Sequence, residues 1–205
     1  MRPKHSSERP HWQKDFSQIP SLNSLTFASK SPHNLLGADL YSLDATDQEL
    51  VRRYRAGVGV VDAALANISD EELDRRYRDG WSARMVVHHL ADSETNSYLR
   101  LRRLLAEEPP TVIQGYDEAR WARCESLGYE SLPIEGSVSV FRAVRESSSA
   151  LLSGLSAQDL EREGQHTQSG AYSLRSWLLI YAAHAEEHAE QISRARRGER
   201  DPQES

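Results

Sequence analysis

A single cysteine, Cys124, among 205 residues means that no intramolecular disulfide can brace this chain. That usage fits a reducing compartment. Cys124 follows Trp121 and Ala122 in a short polar segment with no histidine beside it, so it is read as non-catalytic. Long hydrophobic runs are also missing: the longest, Trp177 to Ala183, is far too short to cross a bilayer. Charged residues near the start are followed by no apolar core, so a secretory signal is not expected and the protein is expected to be cytoplasmic, with no membrane partner. Basic charge is in deficit, with 25 Lys plus Arg against 31 Asp plus Glu and a net charge of −6. No nucleic-acid partner is therefore expected. The arginine clusters Arg100, Arg102, Arg103 and Arg194, Arg196, Arg197 fall near helix C-termini, where cations complement the helix dipole, and are read as structural or solvated. No strand-rich stretch of domain size and no repeat is visible.

What remains is helical periodicity. Residues 1–40 carry proline, serine and basic residues without an apolar period and are expected to form a disordered tail; residues 41–198 form the domain and 199–205 a short C-terminal tail. His5, His11 and His33 fall in the first segment at irregular spacing and suggest no metal site. The first helix is expected to open at Thr46, boxed to Glu49, and to run to about Asn67, with Gly57 and Gly59 allowing a neighbour to approach closely. A short helical turn follows Ser69, boxed to Glu72. Ser82 is the expected N-cap of a second long helix that stops ahead of Pro109 and Pro110. After a long connection, Glu107 to Gly136, with a short helix at Asp117 to Cys124, a third helix is expected over about Ser137 to Leu155. A small hairpin between Glu161 and Tyr172 precedes the last helix. The predicted architecture is all-α, an antiparallel four-helix bundle with a long crossover connection.

The last helix carries the chemistry. From Ser173 to Arg197, Leu174, Trp177, Leu178, Tyr181, Ala185, Ile192 and Ala195 mark an apolar stripe at steps of three and four, and His184 and His188 interrupt it at its centre. Buried neutral imidazoles need partners for both ring nitrogens, and one shared metal would satisfy both rings. A third imidazole is available from the pair His88 and His89 on the second helix. His89 shares its face with Met85, Val86, Ser93, Asn96 and Ser97, leading to Leu101 and Leu104, whereas His88 faces with Arg84, Asp92 and Arg102. His89 is therefore the expected ligand, and His88 a residue that either supports the ligands from behind or meets solvent, paired with Asp92. Three converging histidines with an open position describe a catalytic divalent metal site.

The segment from Tyr77 to Ala122 (YRDGWSARMVVHHLADSETNSYLRLRRLLAEEPPTVIQGYDEARWA) and the closing Tyr-x-x-His-x-x-x-His run resemble the DinB/YfiT-like superfamily of metal-dependent helix bundles, over roughly Ala45 to Gly198. The resemblance implies a four-helix bundle whose metal ligands are His89, His184 and His188, a zinc or nickel ion as the expected metal, and a homodimer as the expected assembly. It also implies a transferase that activates a low-molecular-weight thiol of mycothiol or bacillithiol type for attack on a small-molecule electrophile. This chain departs from close relatives in having Glu186 and Glu187 where they carry further histidines, and Glu94 where they carry a histidine.

The three-histidine site itself does not choose between nucleophiles. A metal activates a thiol by deprotonating it. It can equally activate water, making a hydrolase in which Glu187 or Asp92 would take the proton. A stress protein that binds metal or ligand without turnover is the third reading. Glu187 is open to three roles, as ligand, proton acceptor or solvated charge, and Asp92 to two, orienting the site or meeting solvent.

Overall fold

The computed structural model describes residues 43–76 and 80–199. The expected tail over residues 1–40, its three histidines and most of the C-terminal tail lie outside the described residues. Four long helices dominate: α1 (Ala45–Leu65), α3 (Ala83–Ala106), α5 (Glu135–Leu152) and α7 (Leu174–Arg197). Short elements fill the connections: α2 (Asp70–Asp74), β1 (Thr111–Ile113), α4 (Glu118–Ala122), α6 (Ala157–Leu160), β2 (Glu163–His166) and β3 (Gly170–Ser173).

Most helix starts follow from one side chain each. Ser69, Ser82 and Ser173 each accept a hydrogen bond from a backbone amide of the first turn, and Ser69 completes its capping box with Glu72. The start of α1 differs from expectation. Asp44, not Thr46, is the cap, its carboxylate accepting the Asp47 amide at 2.8 Å. An anionic acceptor serves the positive helix end better than a threonine hydroxyl, and Thr46 is left inside the first turn. Helix α5 begins at Glu135, two residues earlier than the pattern predicts, and ends at Leu152.

The helices form a four-helix bundle whose sequence neighbours α1 and α3 sit on one diagonal and α5 and α7 on the other. Contacts set the directions. Asp47 meets Arg175, Arg53 meets Glu186, and the Ala64 carbonyl meets Arg196, so α1 and α7 run parallel. His88 meets Ser137, Glu94 meets Arg145 and Ser147 meets Arg102, so α3 and α5 are parallel as well. The antiparallel pairs are α1 with α5 and α3 with α7, as shown by Arg142 on Asp62 and by the Trp177 indole donating to the Ser97 carbonyl at 3.1 Å. The long connection after α3 is thus the expected crossover, carrying the chain back along the bundle before α5 starts.

That crossover supplies β1, which pairs in parallel with β2, while β2 and β3 form the expected hairpin. Three residues are too few for a period to be read, so β1 had no signature in the sequence.

Two apolar clusters form the core. One contains Leu50, Tyr54, Leu101, Leu104, Leu152, Trp177 and Tyr181; the other Val61, Val86, Leu90, Phe141, Ala185, Ala189 and Ile192. Between them lies a fully buried ion pair. Arg145 donates from Nε to Glu94 at 2.8 Å, and from its two Nη atoms to the backbone carbonyls of Tyr54 and Tyr181, each at 2.8 Å. One guanidinium thereby ties all four long helices together. Gly57 makes room for it: a Cβ there would fall 2.5 Å from Arg145 Nη1 and 2.7 Å from the Ala185 Cβ. The close approach expected at Gly57 is present, while Gly59 faces open space.

Candidate metal centre

His184 and His188 are one turn apart on the face of α7 that meets α3, and the antiparallel α3 brings His89 against them. Ring centroids lie 5.5 Å (His89 to His184), 4.7 Å (His89 to His188) and 4.4 Å (His184 to His188) apart. One nitrogen from each ring lies within 4.8 Å of the others, which makes this a set able to hold an ion. The expected trio is therefore the trio that converges.

His89 is 1% exposed and its Nδ1 is buried with no hydrogen-bond partner. Burial first, and the neighbouring His188 second, push its pKa well below the usual histidine value, so the ring is neutral and offers a lone pair. An orphaned nitrogen on an imidazole packed against two further imidazoles is what a divalent ion would satisfy. The other rings are oriented from outside: Gln191 Oε1 lies 2.8 Å from His188 Nδ1, and Ser93 Oγ 3.3 Å from His184 Nε2. Such contacts fix ring rotation and hold one nitrogen for the metal. Trp81 and Tyr181 flank the centre edge-on, 5.2 Å from His89 and 5.6 Å from His184.

Not every expected neighbour is there. His88 is not a surface residue and forms no hydrogen bond with Asp92, although the Asp92 charge acts on its ring. It is 6% exposed, with Nδ1 at 2.8 Å from Ser137 Oγ and Nε2 at 3.2 Å from the Leu132 carbonyl. The chain entering α5 covers the face that α3 alone would leave polar. Asp92 instead accepts from the Tyr129 hydroxyl at 2.6 Å, and burial holds its pKa above the usual range. Glu187 is exposed, and its charge acts on Arg53 of α1. Glu186 pairs with that arginine at 2.6 Å, and Glu94 is committed to Arg145, so neither joins the metal set. Cys124 is exposed.

The residue that sequence reasoning missed is Glu118, at the start of α4. Burial, opposed by Arg100 and aided by Asp117, pushes its carboxyl up to about 7. Its charge raises the phenols of Tyr116, Tyr129 and Tyr181. Tyr181 touches His184, and the buried Tyr116 hydroxyl lies beside Ser93 without forming a hydrogen bond. Glu118 thus acts electrostatically on Tyr181, the ring that packs against His184. Only the crossover brings it there, and the one sequence signal was the Asp117 cap that starts its helix.

Several known proteins are similar to this chain. A protein from Oceanobacillus iheyensis, described provisionally as a metal-dependent hydrolase, is 44% identical over 114 residues, covering 56% of this chain and 64% of that protein. A Bacillus cereus protein with the same provisional description is 35% identical over 118 residues, covering 58% and 66%. These alignments span just under two thirds of the relatives' own lengths. Among solved structures, YfiT from Bacillus subtilis superimposes with a TM-score of 0.68 at 28% identity, covering 83% of this chain and 94% of that one. It too is described provisionally as a metal-dependent hydrolase, with an unusual four-helix bundle topology. The sequence model of the DinB superfamily matches residues 46–192, and with the bundle and its converging histidines in place, the chain belongs to that superfamily.

Proposed function

We propose that this protein is a metal-dependent hydrolase of small molecules, with a divalent ion, zinc or nickel, held by His89, His184 and His188. The observation that carries this reading is the orphaned Nδ1 of His89 inside a ring of three imidazoles. A divalent ion there would supply Lewis acidity, acidifying the attacking nucleophile at neutral pH. The protein's own groups do the rest. Gln191 and Ser93 orient two rings, while Trp81 and Tyr181 keep solvent from the flanks of the centre. Glu118, with a carboxyl poised at about 7, takes the proton that the nucleophile loses and returns it to the leaving group.

Water is preferred over a thiol because Glu118, a carboxyl poised near neutrality, acts on the tyrosine that packs against His184, and because the relatives are described by hydrolysis. Activation of a mycothiol- or bacillithiol-type thiol for attack on an electrophile is the rival at the same centre, and it needs no carboxylate base.

The test combines metal analysis with two activities in the full-length protein: hydrolysis of an ester and amide panel, and monochlorobimane conjugation with each low-molecular-weight thiol. His184→Ala is expected to lose both metal and turnover. Glu118→Gln is expected to keep its metal and lose about 10²–10⁴ in hydrolytic rate, together with the limb of the pH profile that rises through neutrality. Conjugation that survives Glu118→Gln, with no hydrolysis in the parent, would replace this reading with thiol transfer. A metal-loaded parent without either activity would leave a binding protein.

A further inference from the structure

The Tyr181 ring that packs against His184 carries, at its hydroxyl, a guanidinium with no carboxylate in direct contact. Arg100 of α3 is half-buried, and its Nε is fully buried with no acceptor. Nη1 donates to the Tyr181 hydroxyl at 3.1 Å and Nη2 to the Gln114 carbonyl at 3.0 Å, which leaves three of five N–H donors unused. No described carboxylate forms an ion pair with it; Glu118 acts on it only from a distance. An arginine withdrawn from solvent in this way normally finds an anion, since burying an uncompensated charge is costly.

Its neighbours are donors too. The Tyr172 hydroxyl is buried beside Arg100, which acts on it. The His166 ring packs 5.5 Å from that of Tyr172. His166 Nδ1 accepts from the backbone amides of Gln168 and Ser169, both at 3.3 Å, so its proton sits on Nε2 and that nitrogen is a donor. Burial and the charge of Arg100 keep this ring neutral, with its pKa lowered to about 4.

We propose that Arg100, with His166 and Tyr172, forms a carboxylate-binding subsite beside the metal centre, so that the substrate is a small molecule carrying a carboxylate a short chain away from its reacting group. The placement of the reacting group rests on the metal-centre reading above; the anion site does not. A planar guanidinium fork matches a carboxylate edge to edge, and one guanidinium among neutral donors balances a single carboxylate charge better than the larger charge of phosphate.

The experiment is calorimetric titration of the full chain, stripped of metal so that no anion can bind through an ion, with succinate, neutral succinamide and inorganic phosphate as probes. Succinate is expected to bind, succinamide not, and phosphate more weakly than succinate. Arg100→Met is expected to weaken succinate at least tenfold, and His184→Ala to leave it unchanged. Arg100→Lys, which keeps charge but loses the fork, should fall between and decides the matter if the methionine variant does not fold. Unaltered succinate affinity in either arginine variant, tighter phosphate than succinate, or no succinate binding by the parent overturns the proposal. Because succinate binding is read without metal or turnover, an inactive parent that still binds it would remove the hydrolase reading and leave the subsite standing.

Discussion

At the scale of single residues, the molecule concentrates its risk in Arg145. Its guanidinium is 0% exposed, stacks 4.2 Å above the Tyr54 ring and satisfies Glu94 together with two helix carbonyls. Arg145→Met would leave the Glu94 carboxylate buried without its counter-charge, with only the Tyr54 hydroxyl at 3.3 Å as a donor. A loss of roughly 3–5 kcal/mol in urea-unfolding stability is expected, with a Glu94→Leu/Arg145→Met double variant recovering a large part of it. Glu118 behaves in the opposite sense. Folding raises its pKa from 4.5 to about 7, so the native state binds a proton more tightly than the unfolded chain does, and native stability is lost progressively as pH rises through that interval. Glu118→Gln should therefore raise the melting temperature at pH 8 and change it little at pH 4; equal shifts at both pH values would show that the carboxyl is not perturbed. Of the residues that matter, the three histidines were legible because they break an apolar stripe whose partners are local. Glu118, Arg100 and Arg145 were not, because each acquires its neighbours from a different part of the chain.

Helix by helix, the two glycines of α1 provide a matched pair. Both cost helix propensity, yet only Gly57 is pressed against Arg145 and Ala185, while Gly59 looks outward. Gly59→Ala should stabilise by about 0.5–1 kcal/mol. Gly57→Ala should destabilise by about 1–3 kcal/mol, since its methyl has no space and the group in its way is fixed by three hydrogen bonds. Thermal denaturation of the two variants side by side measures both signs. Element by element, caps were the most readable features: Ser69, Ser82 and Ser173 announce their helices through hydroxyls acting within one turn. The α1 start was misread because two residues, Asp44 and Thr46, both satisfy the pattern and only the geometry chooses. The missed β1 strand and the failed surface alternative for His88 have a common cause. Both depend on where the crossover is laid down, and no periodicity on one element carries that information.

For the molecule as a whole, four periodic segments and a long connection were enough to predict the bundle. The directions of its helices became visible only in the contacts between them. We expect the domain to be self-sufficient: a chain beginning at Leu40 should fold, bind metal through the three histidines and melt within a few degrees of the full-length protein. A large fall in melting temperature would show that the preceding residues contribute to the core. A symmetric homodimer remains the expected assembly, and light scattering at the monomer mass of 23.2 kDa across micromolar concentrations would reject it.

The parallel course of α1 and α7 has a mechanical consequence. These helices hold the two ends of the domain, and running side by side in one direction they place the first residue of α1 and the last of α7 at opposite poles of the bundle. Tension applied through the termini would load their whole interface at once, in shear, instead of peeling it apart turn by turn. Pulled from its ends, the domain should resist until it yields in a single step, whereas a bundle whose terminal helices were antiparallel neighbours would unzip at low force.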